Sequence, residues 1–306
     1  MRQTACFLLS SFFLINVSAK EIDRIYTVGF AQDTMSNDWR AAQVNEMKDS
    51  LSRYSFIKFI YTDAKGKPFQ QTLDLQLMDK KGADILVTSP RDHRVMTPII
   101  NALSKKKPVI LLTRKILNDE FTAFVGANDY LIAQNAAKLI KEKLNGKGKV
   151  VMLKGVSTAT TAKAREKGFL DQLSKYPEIQ VVAAPVADYR RHKAITAMEK
   201  ILKEGVEFNA IFAHSDSMAS GARIAMEHAG LNPADYIIVG IDYIPEARDA
   251  IKAGKQTASF TYPTASKQGA DIILQLIRGE KIKKYTEVPS ILVTTDNVDS
   301  VNTIFK

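Results

Sequence analysis

The chain has 306 residues, of which 45% are hydrophobic and 25% charged, with a formal net charge of +10 at pH 7 and one cysteine. This length exceeds one ordinary hydrophobic core and is typical of two domains, while a lone cysteine excludes an internal disulfide framework. The lysines are scattered and not interleaved with aromatics, which argues against a nucleic-acid-binding surface and favours a solvated one. A weak attraction to acidic lipid or to an anionic ligand stays open.

A cleaved secretory leader is predicted over residues 1–19. Arg2 precedes an apolar run from Ala5 to Val17, and small residues stand at the predicted cleavage point after Ala19. The alternative is a membrane anchor, but the run is shorter than the roughly 20 residues that a spanning helix needs. Cys6 precedes the apolar run, so a lipidated anchor is not expected, and cleavage would leave no cysteine. We therefore expect an exported protein.

The first half of the chain alternates short apolar segments with amphipathic ones. Strands are predicted at residues 25–30, 57–61, 84–88 and 109–112, and helices at 39–53, 69–81 and about 95–106, the last ended by Pro108. Strands this short and continuously apolar are typical of a parallel sheet covered on both faces. The segment predicts four strands of a doubly wound sheet.

A second series repeats this unit. Strands are predicted at 149–153, 179–184, 210–213 and 236–239, and helices begin near Asn128, Thr158, Arg190, Met218 and Pro245. The repetition predicts two Rossmann-like α/β lobes, and the absence of a Pro/Gly/Ser-rich linker indicates that the chain crosses between them at ordered points. A ligand site is expected beyond the carboxyl ends of the strands.

Polar and aromatic residues follow the predicted strands of both lobes. These segments are residues 31–40, Thr113-Arg114, residues 154–158, Asp188-Tyr189, residues 214–216 and residues 240–243. Planar charged groups and ring faces are what recognition of a small polyhydroxylated molecule requires.

Several groups of residues, in a fixed order and spacing, carry a family resemblance. They are Val28-Gly29-Phe30 with residues 39–42, Leu112-Thr113-Arg114, residues 163–169, residues 213–218, residues 239–242 and residues 293–298. In this arrangement the chain resembles the periplasmic sugar-binding proteins of the ribose-binding family, and most resembles the galactofuranose-binding member.

The resemblance implies a type I periplasmic binding protein fold with three crossover hinge segments, near residues 126–129, 258–262 and 290–294. The N-terminal lobe would hold residues 24–126 plus 262–290, and the C-terminal lobe residues 127–261 plus 291–306. Hinges of this kind allow closure on a ligand.

The resemblance also implies a set of ligand-binding residues. Arg114 and Arg165 would donate to sugar hydroxyls or the ring oxygen, and Asp242 would accept from hydroxyls; for each, the alternative is a salt bridge that holds the hinge. Trp39 and Tyr189 would offer ring faces, although either could instead belong to the core. The remaining members of the expected set are Asp33, Arg40, Ser215 and Tyr262.

Two departures from the family pattern concern charge and hydrogen bonding. Ser215 stands where the family often has asparagine, and Thr113 stands where it has an aspartate. Cationic residues near the strand ends outnumber the acidic ones: Arg40, Arg91, His93, Arg94, Arg114, Arg165 and Arg190 against Asp33, Asp188, Asp216 and Asp242. This excess favours an anionic ligand such as a sugar acid or phosphate; the alternative is that several of these cations point to solvent.

We expect a periplasmic, monomeric solute-binding protein that captures a sugar or sugar-like ligand and delivers it to the permease of an ABC importer. The alternative is a periplasmic sensor that docks on a membrane histidine kinase or chemoreceptor. Catalysis, a metal and a cofactor are not expected, because the four histidines show no metal-ligand spacing and neither a nucleophile elbow nor a dinucleotide fingerprint is present. The predicted leader argues against a DNA-binding headpiece.

Overall fold

The computed structural model describes residues 24–305. These residues form two six-stranded β-sheets that are covered by helices. The predicted leader over residues 1–19 lies outside the described residues. The expected fold class, two doubly wound α/β lobes, is confirmed. Within the described residues, no helix has the length and apolar character to cross a membrane.

The strands, in chain order, are β1 (Tyr26–Gln32), β2 (Ile57–Asp63), β3 (Ile85–Thr88), β4 (Val109–Leu112), β5 (Ala123–Gly126), β6 (Gly148–Leu153), β7 (Ile179–Ala183), β8 (Ala210–Ala213), β9 (Ile237–Asp242), β10 (Ala258–Thr261), β11 (Tyr285–Glu287) and β12 (Leu292–Val293). The helices are α1 (Asp38–Leu51), α2 (Pro68–Lys80), α3 (His93–Ser104), α4 (Asp129–Lys143), α5 (Thr160–Leu173), α6 (Arg191–Lys203), α7 (Asp216–His228), α8 (Pro245–Lys252) and α9 (Ser266–Ile277).

The first sheet has the strand order β11-β5-β4-β3-β1-β2, and the second has the order β12-β10-β9-β8-β6-β7. All pairings are parallel except the edge pairing of β12 with β10, which is antiparallel and departs from the purely parallel sheet expected from the sequence. The chain passes between the sheets after β5, after β10 and after β11. The residue limits of the two lobes stay a prediction.

The apolar runs of the sequence form central strands that helices cover on both faces. Every residue of β3, β4 and β8 is buried, as continuous apolar composition requires of such strands. One buried cluster extends from Val28 in the first sheet to Val150 in the second, so apolar packing is continuous between the lobes.

Helix starts differ from the predicted ones where a side chain caps the helix. The carboxylate of Asp92 accepts hydrogen bonds from the backbone of Arg94 and Val95, so α3 begins at His93 and not near residue 95. The Ser215 hydroxyl oxygen likewise caps α7, which begins at Asp216 instead of Met218. The strands β5, β10, β11 and β12 and the helix α9 were not predicted from the sequence.

Close packing of α5 on α4 depends on Gly168. A Cβ atom there would lie 2.3 Å from the backbone oxygen of Tyr130. At Gly269 in α9, an added Cβ would meet only the flexible side-chain ends of Leu112 and Met47, both at 3.0 Å.

We expect Gly168→Ala to lower the free energy of unfolding by about 1–3 kcal/mol, because the two helix backbones must separate. Gly269→Ala is the matched control and should cost less, since movable side chains absorb the methyl group and alanine favours the helix. Urea unfolding of both variants measures the difference. Equal effects of the two substitutions would contradict the backbone-contact explanation.

Candidate ligand-binding site

A cavity lies between the two lobes, beyond the carboxyl ends of the parallel strands. Small-molecule sites in α/β proteins commonly occupy this position. Eight of the nine residues predicted to bind ligand line it: Asp33, Trp39, Arg40, Arg114, Arg165, Tyr189, Asp242 and Tyr262. The structure thus brings together residues that are far apart in the chain.

The Asp33 carboxylate lies at the end of β1 among three guanidinium groups. Its Oδ2 accepts from Nη1 of Arg114 at 2.9 Å and lies 3.4 Å from Nη1 of Arg91, while its Oδ1 lies 3.5 Å from Nε of Arg40. Burial raises the pKa of Asp33, but the three guanidiniums outweigh it, so the net pKa lies below the ordinary value. The carboxylate is therefore ionised and orients three arginines, which come from α1, from the segment after β4 and from the loop after β3.

Two polar atoms of this network are buried without a hydrogen-bond partner among the described residues. They are Oδ1 of Asp33 and Nε of Arg114. Buried polar atoms in folded proteins are nearly always hydrogen-bonded, so each exception calls for an explanation. One is an acceptor and the other a donor, and a ligand hydroxyl can serve both kinds of group.

Arg165 joins the second lobe to two of the crossing segments. Its Nε donates to Oδ1 of Asp129 at 2.7 Å, and the hydroxyl of Tyr262 donates to the other carboxylate oxygen at 3.1 Å. Asp129 is the first residue of α4, just after β5, and Tyr262 directly follows β10. Arg165 therefore makes the hinge salt bridge that was the alternative interpretation, and it also lines the cavity.

Trp39 and Tyr262 form an aromatic pair on the first-lobe side of the cavity. Their ring centroids are 5.6 Å apart, and the indole Nε1 donates to the carbonyl oxygen of Tyr262 at 2.9 Å. Trp39 is 5% exposed and belongs to the buried cluster shared by both lobes. It is thus at once a core residue and a part of the cavity wall.

Tyr189 supplies an aromatic ring from the second lobe. Its ring centroid lies 5.8 Å from the guanidinium carbon of Arg114 and 5.9 Å from that of Arg165. Its carbonyl oxygen accepts from Nδ2 of Asn37 across the cleft at 3.0 Å. A Cβ at Gly155 would lie 2.0 Å from the tyrosine ring, so only glycine at that position leaves the ring in this place.

Left-handed backbone conformations concentrate at the cavity end of the strands. Among residues 24–305, five of the eight non-glycine residues with positive φ end or follow β4, β7 or β9: Thr113, Asp188, Tyr189, Asp242 and Tyr243. Such conformations cost free energy and persist where surrounding contacts impose them, which is common at binding sites. Thr113 itself does not line the cavity. Its hydroxyl lies 3.1 Å from that of Ser89.

Two acidic residues support the second-lobe wall. Asp242 ends β9 and lines the cavity; burial raises its pKa well above the ordinary value, and the nearby Arg165 only partly offsets this effect. Behind it, Asp216 accepts from the backbone of Tyr243 at 2.6 Å and from the hydroxyl of Ser259 in β10 at 2.5 Å. Burial raises the pKa of Asp216 to about 6, although these hydrogen bonds oppose the rise.

Ser215 is the predicted residue that the structure does not bring to the cavity. Its hydroxyl oxygen accepts from the backbone of Met218 and its side chain is buried in the second lobe, because it caps α7. The expected set left out Thr34, Asn37, Val156 and Thr161, which also line the cavity. The first three lie in segments 31–40 and 154–158, which were expected to follow strands, whereas Thr161 lies outside these segments.

The expected cationic residues separate into two groups. Five arginines line the cavity: Arg40, Arg91, Arg114, Arg165 and Arg190. Arg94 is instead exposed on α3. His93 is buried, with Nδ1 2.7 Å from the carbonyl oxygen of Thr158 in the other lobe. This contact, together with that of the Thr158 hydroxyl with the Arg91 carbonyl oxygen at 3.2 Å, holds the cleft in a closed arrangement.

The chain was compared with known proteins. A family model described as a periplasmic binding protein domain matches residues 28–281. The galactofuranose-binding protein YtfQ of Escherichia coli is 29% identical, over 88% of this chain and 86% of that protein. The ribose import binding protein RbsB of Bacillus subtilis is 27% identical, over 88% and 87%.

Solved structures share the fold. The fructose-binding periplasmic domain of a hybrid two-component system has a TM-score of 0.85 and 30% identity, covering 89% of this chain and 92% of that one. An ABC transporter solute-binding protein from Bacillus halodurans with bound myo-inositol has a TM-score of 0.86 and 25% identity, covering 90% and 96%.

We expect Arg165→Ala to lower the free energy of unfolding by about 3–5 kcal/mol without any ligand, because it leaves the buried Asp129 carboxylate unpaired. Lys167→Ala is the control, since Lys167 makes an exposed ion pair with Asp171 in the same helix. Denaturant unfolding compares the two. If Arg165→Ala were as stable as the control, the buried pair would not support the fold.

The raised pKa of Asp216 predicts a pH-dependent stability. Because its folded-state pKa of about 6 exceeds the reference value of 3.8, the folded state binds the proton more tightly. The resulting stabilisation is present below about pH 4 and is lost as the pH rises through about 6. Relative to Asp216→Asn, the protein should therefore lose about 2 kcal/mol of its free energy of unfolding between about pH 4 and pH 7. Denaturant unfolding of both proteins at several pH values measures this difference. If their free energies of unfolding changed with pH by the same amount, the prediction would be wrong.

Proposed function

We propose, from the premise that this chain belongs to the family of periplasmic binding protein domains, that it captures a small sugar or sugar-like molecule between its two lobes and delivers it to an ABC importer. The family membership confirms the resemblance drawn from the sequence. The relatives are named for binding and import, and we propose no catalytic activity.

The observation that carries this proposal is the composition of the inter-lobe cavity. The Asp33 carboxylate and the guanidiniums of Arg114 and Arg165 supply charge-assisted hydrogen bonds, which are stronger than neutral ones and suit ligand hydroxyls. The carboxyl group of Asp242 adds a further hydrogen-bonding group. The rings of Trp39, Tyr189 and Tyr262 supply apolar faces for the C–H surface of a sugar. Both lobes contribute, so a ligand of this kind would hold them together.

We propose that the protein acts in the periplasm as a monomer, after removal of the leader predicted at residues 1–19. Its partner would be an inner-membrane ABC permease. Solved relatives with bound arabinofuranose and myo-inositol are components of ABC transporters, which supports this proposal.

A sensor is the second candidate, because the fructose-binding domain that shares this fold belongs to a hybrid two-component system. In that case the ligand-bound protein would dock on a membrane kinase or chemoreceptor. Adjacent permease and ATPase genes would favour import, and an adjacent kinase gene would favour sensing.

The proposed function is tested by thermal unfolding of residues 20–306 with pentoses, hexoses in both ring forms, sugar acids and sugar phosphates. A ligand that binds only the folded state stabilises it by about 2.7 kcal/mol at a hundredfold excess over Kd. Because Trp39 is the only tryptophan and lines the cavity, a binding sugar should also change its fluorescence. The proposal fails if no sugar raises the melting temperature or changes the fluorescence of Trp39.

For a sugar identified in this way, Arg114→Ala should weaken affinity by about thirtyfold or more, since it removes a buried charged donor from the cavity. Lys167→Ala should leave affinity unchanged, because Lys167 does not line the cavity and pairs with Asp171 on the surface. Titration calorimetry measures both. A loss of affinity below about threefold for Arg114→Ala would remove Arg114 from the binding set.

A further inference from the structure

Two guanidinium groups, one from each lobe, meet at the cavity wall beside Gly66. From the point where a Cβ of Gly66 would lie, Nη2 of Arg190 is 3.4 Å away and Cζ of Arg91 is 3.5 Å away. These two atoms are therefore no more than about 7 Å apart. Both arginines line the cavity, Arg91 from the loop before α3 and Arg190 from the loop before α6.

The acidic groups of the cavity neutralise this pair only in part. Asp33 is shared among Arg114, Arg91 and Arg40, and its contact with Arg91 is longer, at 3.4 Å, than its contact with Arg114, at 2.9 Å. Asp188 instead pairs with Lys193.

The guanidinium of Arg190 has neither a salt bridge nor a side-chain hydrogen bond within residues 24–305, although most other charges of the cavity are paired. Asp242 is the third acidic residue that lines the cavity. It makes no ion pair within residues 24–305, and burial raises its pKa, which favours the neutral carboxyl.

Positive charge is concentrated around the cavity. Burial, together with the neighbouring Arg114, lowers the pKa of Arg40 to about 10. The guanidiniums of Arg91 and Arg190, no more than about 7 Å apart, repel each other, and an anion held between them would be attracted to both. The planar guanidinium fork fits two oxygens of a carboxylate or a phosphate.

We propose that the sugar bound in this cavity carries an acidic group, a carboxylate or a phosphate ester, which is held between Arg91 of one lobe and Arg190 of the other. The inference rests on the proposed function, since it assumes a sugar-sized ligand in the cavity. An acidic group in this position contacts both lobes at once, so it would contribute directly to closure of the cleft.

Matched pairs of sugars test the inference: galactose with galacturonate, glucose with glucuronate, ribose with ribose 5-phosphate and fructose with fructose 6-phosphate. In calorimetric titrations, at least one acid should bind at least about tenfold more tightly than its neutral parent. The uronates and phosphates distinguish the two kinds of acidic group.

Arg190→Gln should then weaken the preferred acid by roughly ten- to hundredfold and leave affinity for the neutral parent within about threefold. Arg191→Gln is the matched control, because the neighbouring Arg191 does not line the cavity and pairs with Glu246 on the surface. It should change neither affinity.

Each outcome has a distinct meaning. Neutral sugars that bind as tightly as their acids, or an acid whose affinity is the same in Arg190→Gln as in Arg191→Gln, would overturn the inference while leaving the proposed function standing. If no sugar of either kind binds, the proposed function itself fails, and the inference fails with it.

Discussion

The ion cluster around Asp33 is the interaction on which the arrangement of the site depends. A carboxylate that is 1% exposed needs compensating charge, and Arg114, Arg40 and Arg91 provide it from three different segments of the first lobe. The cluster therefore fixes the positions of these segments relative to one another. Because one carboxylate is shared among three guanidiniums, it does not occupy all of their donors, and the buried Nε of Arg114 has no hydrogen-bond partner among the described residues. Stability of the wall and readiness to bind thus come from the same group of charges.

The second lobe has its own buried pair, and it lies where the chain crosses between lobes. Arg165 binds Asp129 at the start of α4, and the Tyr262 hydroxyl binds the same carboxylate. The cavity wall is thereby attached to two crossing segments. A ligand that forms a hydrogen bond with Arg165 would affect the crossing segments directly, because the same side chain binds Asp129. This contact would couple ligand binding to closure of the lobes. In this account the alternative roles considered for Arg165, ligand binding and hinge support, are compatible.

Sequence patterns predicted the strands whose residues are continuously buried. They did not predict the edge strands, which are defined only by their pairing with a neighbouring strand. The bounds of β4 and β8 agree with prediction because uninterrupted apolar residues fill both strands. The strand β12 has two residues, and β11 is short and partly exposed. Neither is long enough to show a hydrophobic pattern in the sequence. Ser215 and Asn37 show the same limit at the site. Both are polar residues that precede a helix and cap it, yet only Asn37 also reaches the other lobe, and that depends on tertiary geometry.

The central claim is that a ligand held by charges from both lobes closes the cleft. Small-angle X-ray scattering of the protein, alone and saturated with a sugar shown by calorimetry to bind, tests it most directly. The account predicts that the radius of gyration decreases on binding and that the scattering of the complex matches the closed structure described above. An unchanged profile at saturation would contradict the account, because binding would then not bring the lobes together.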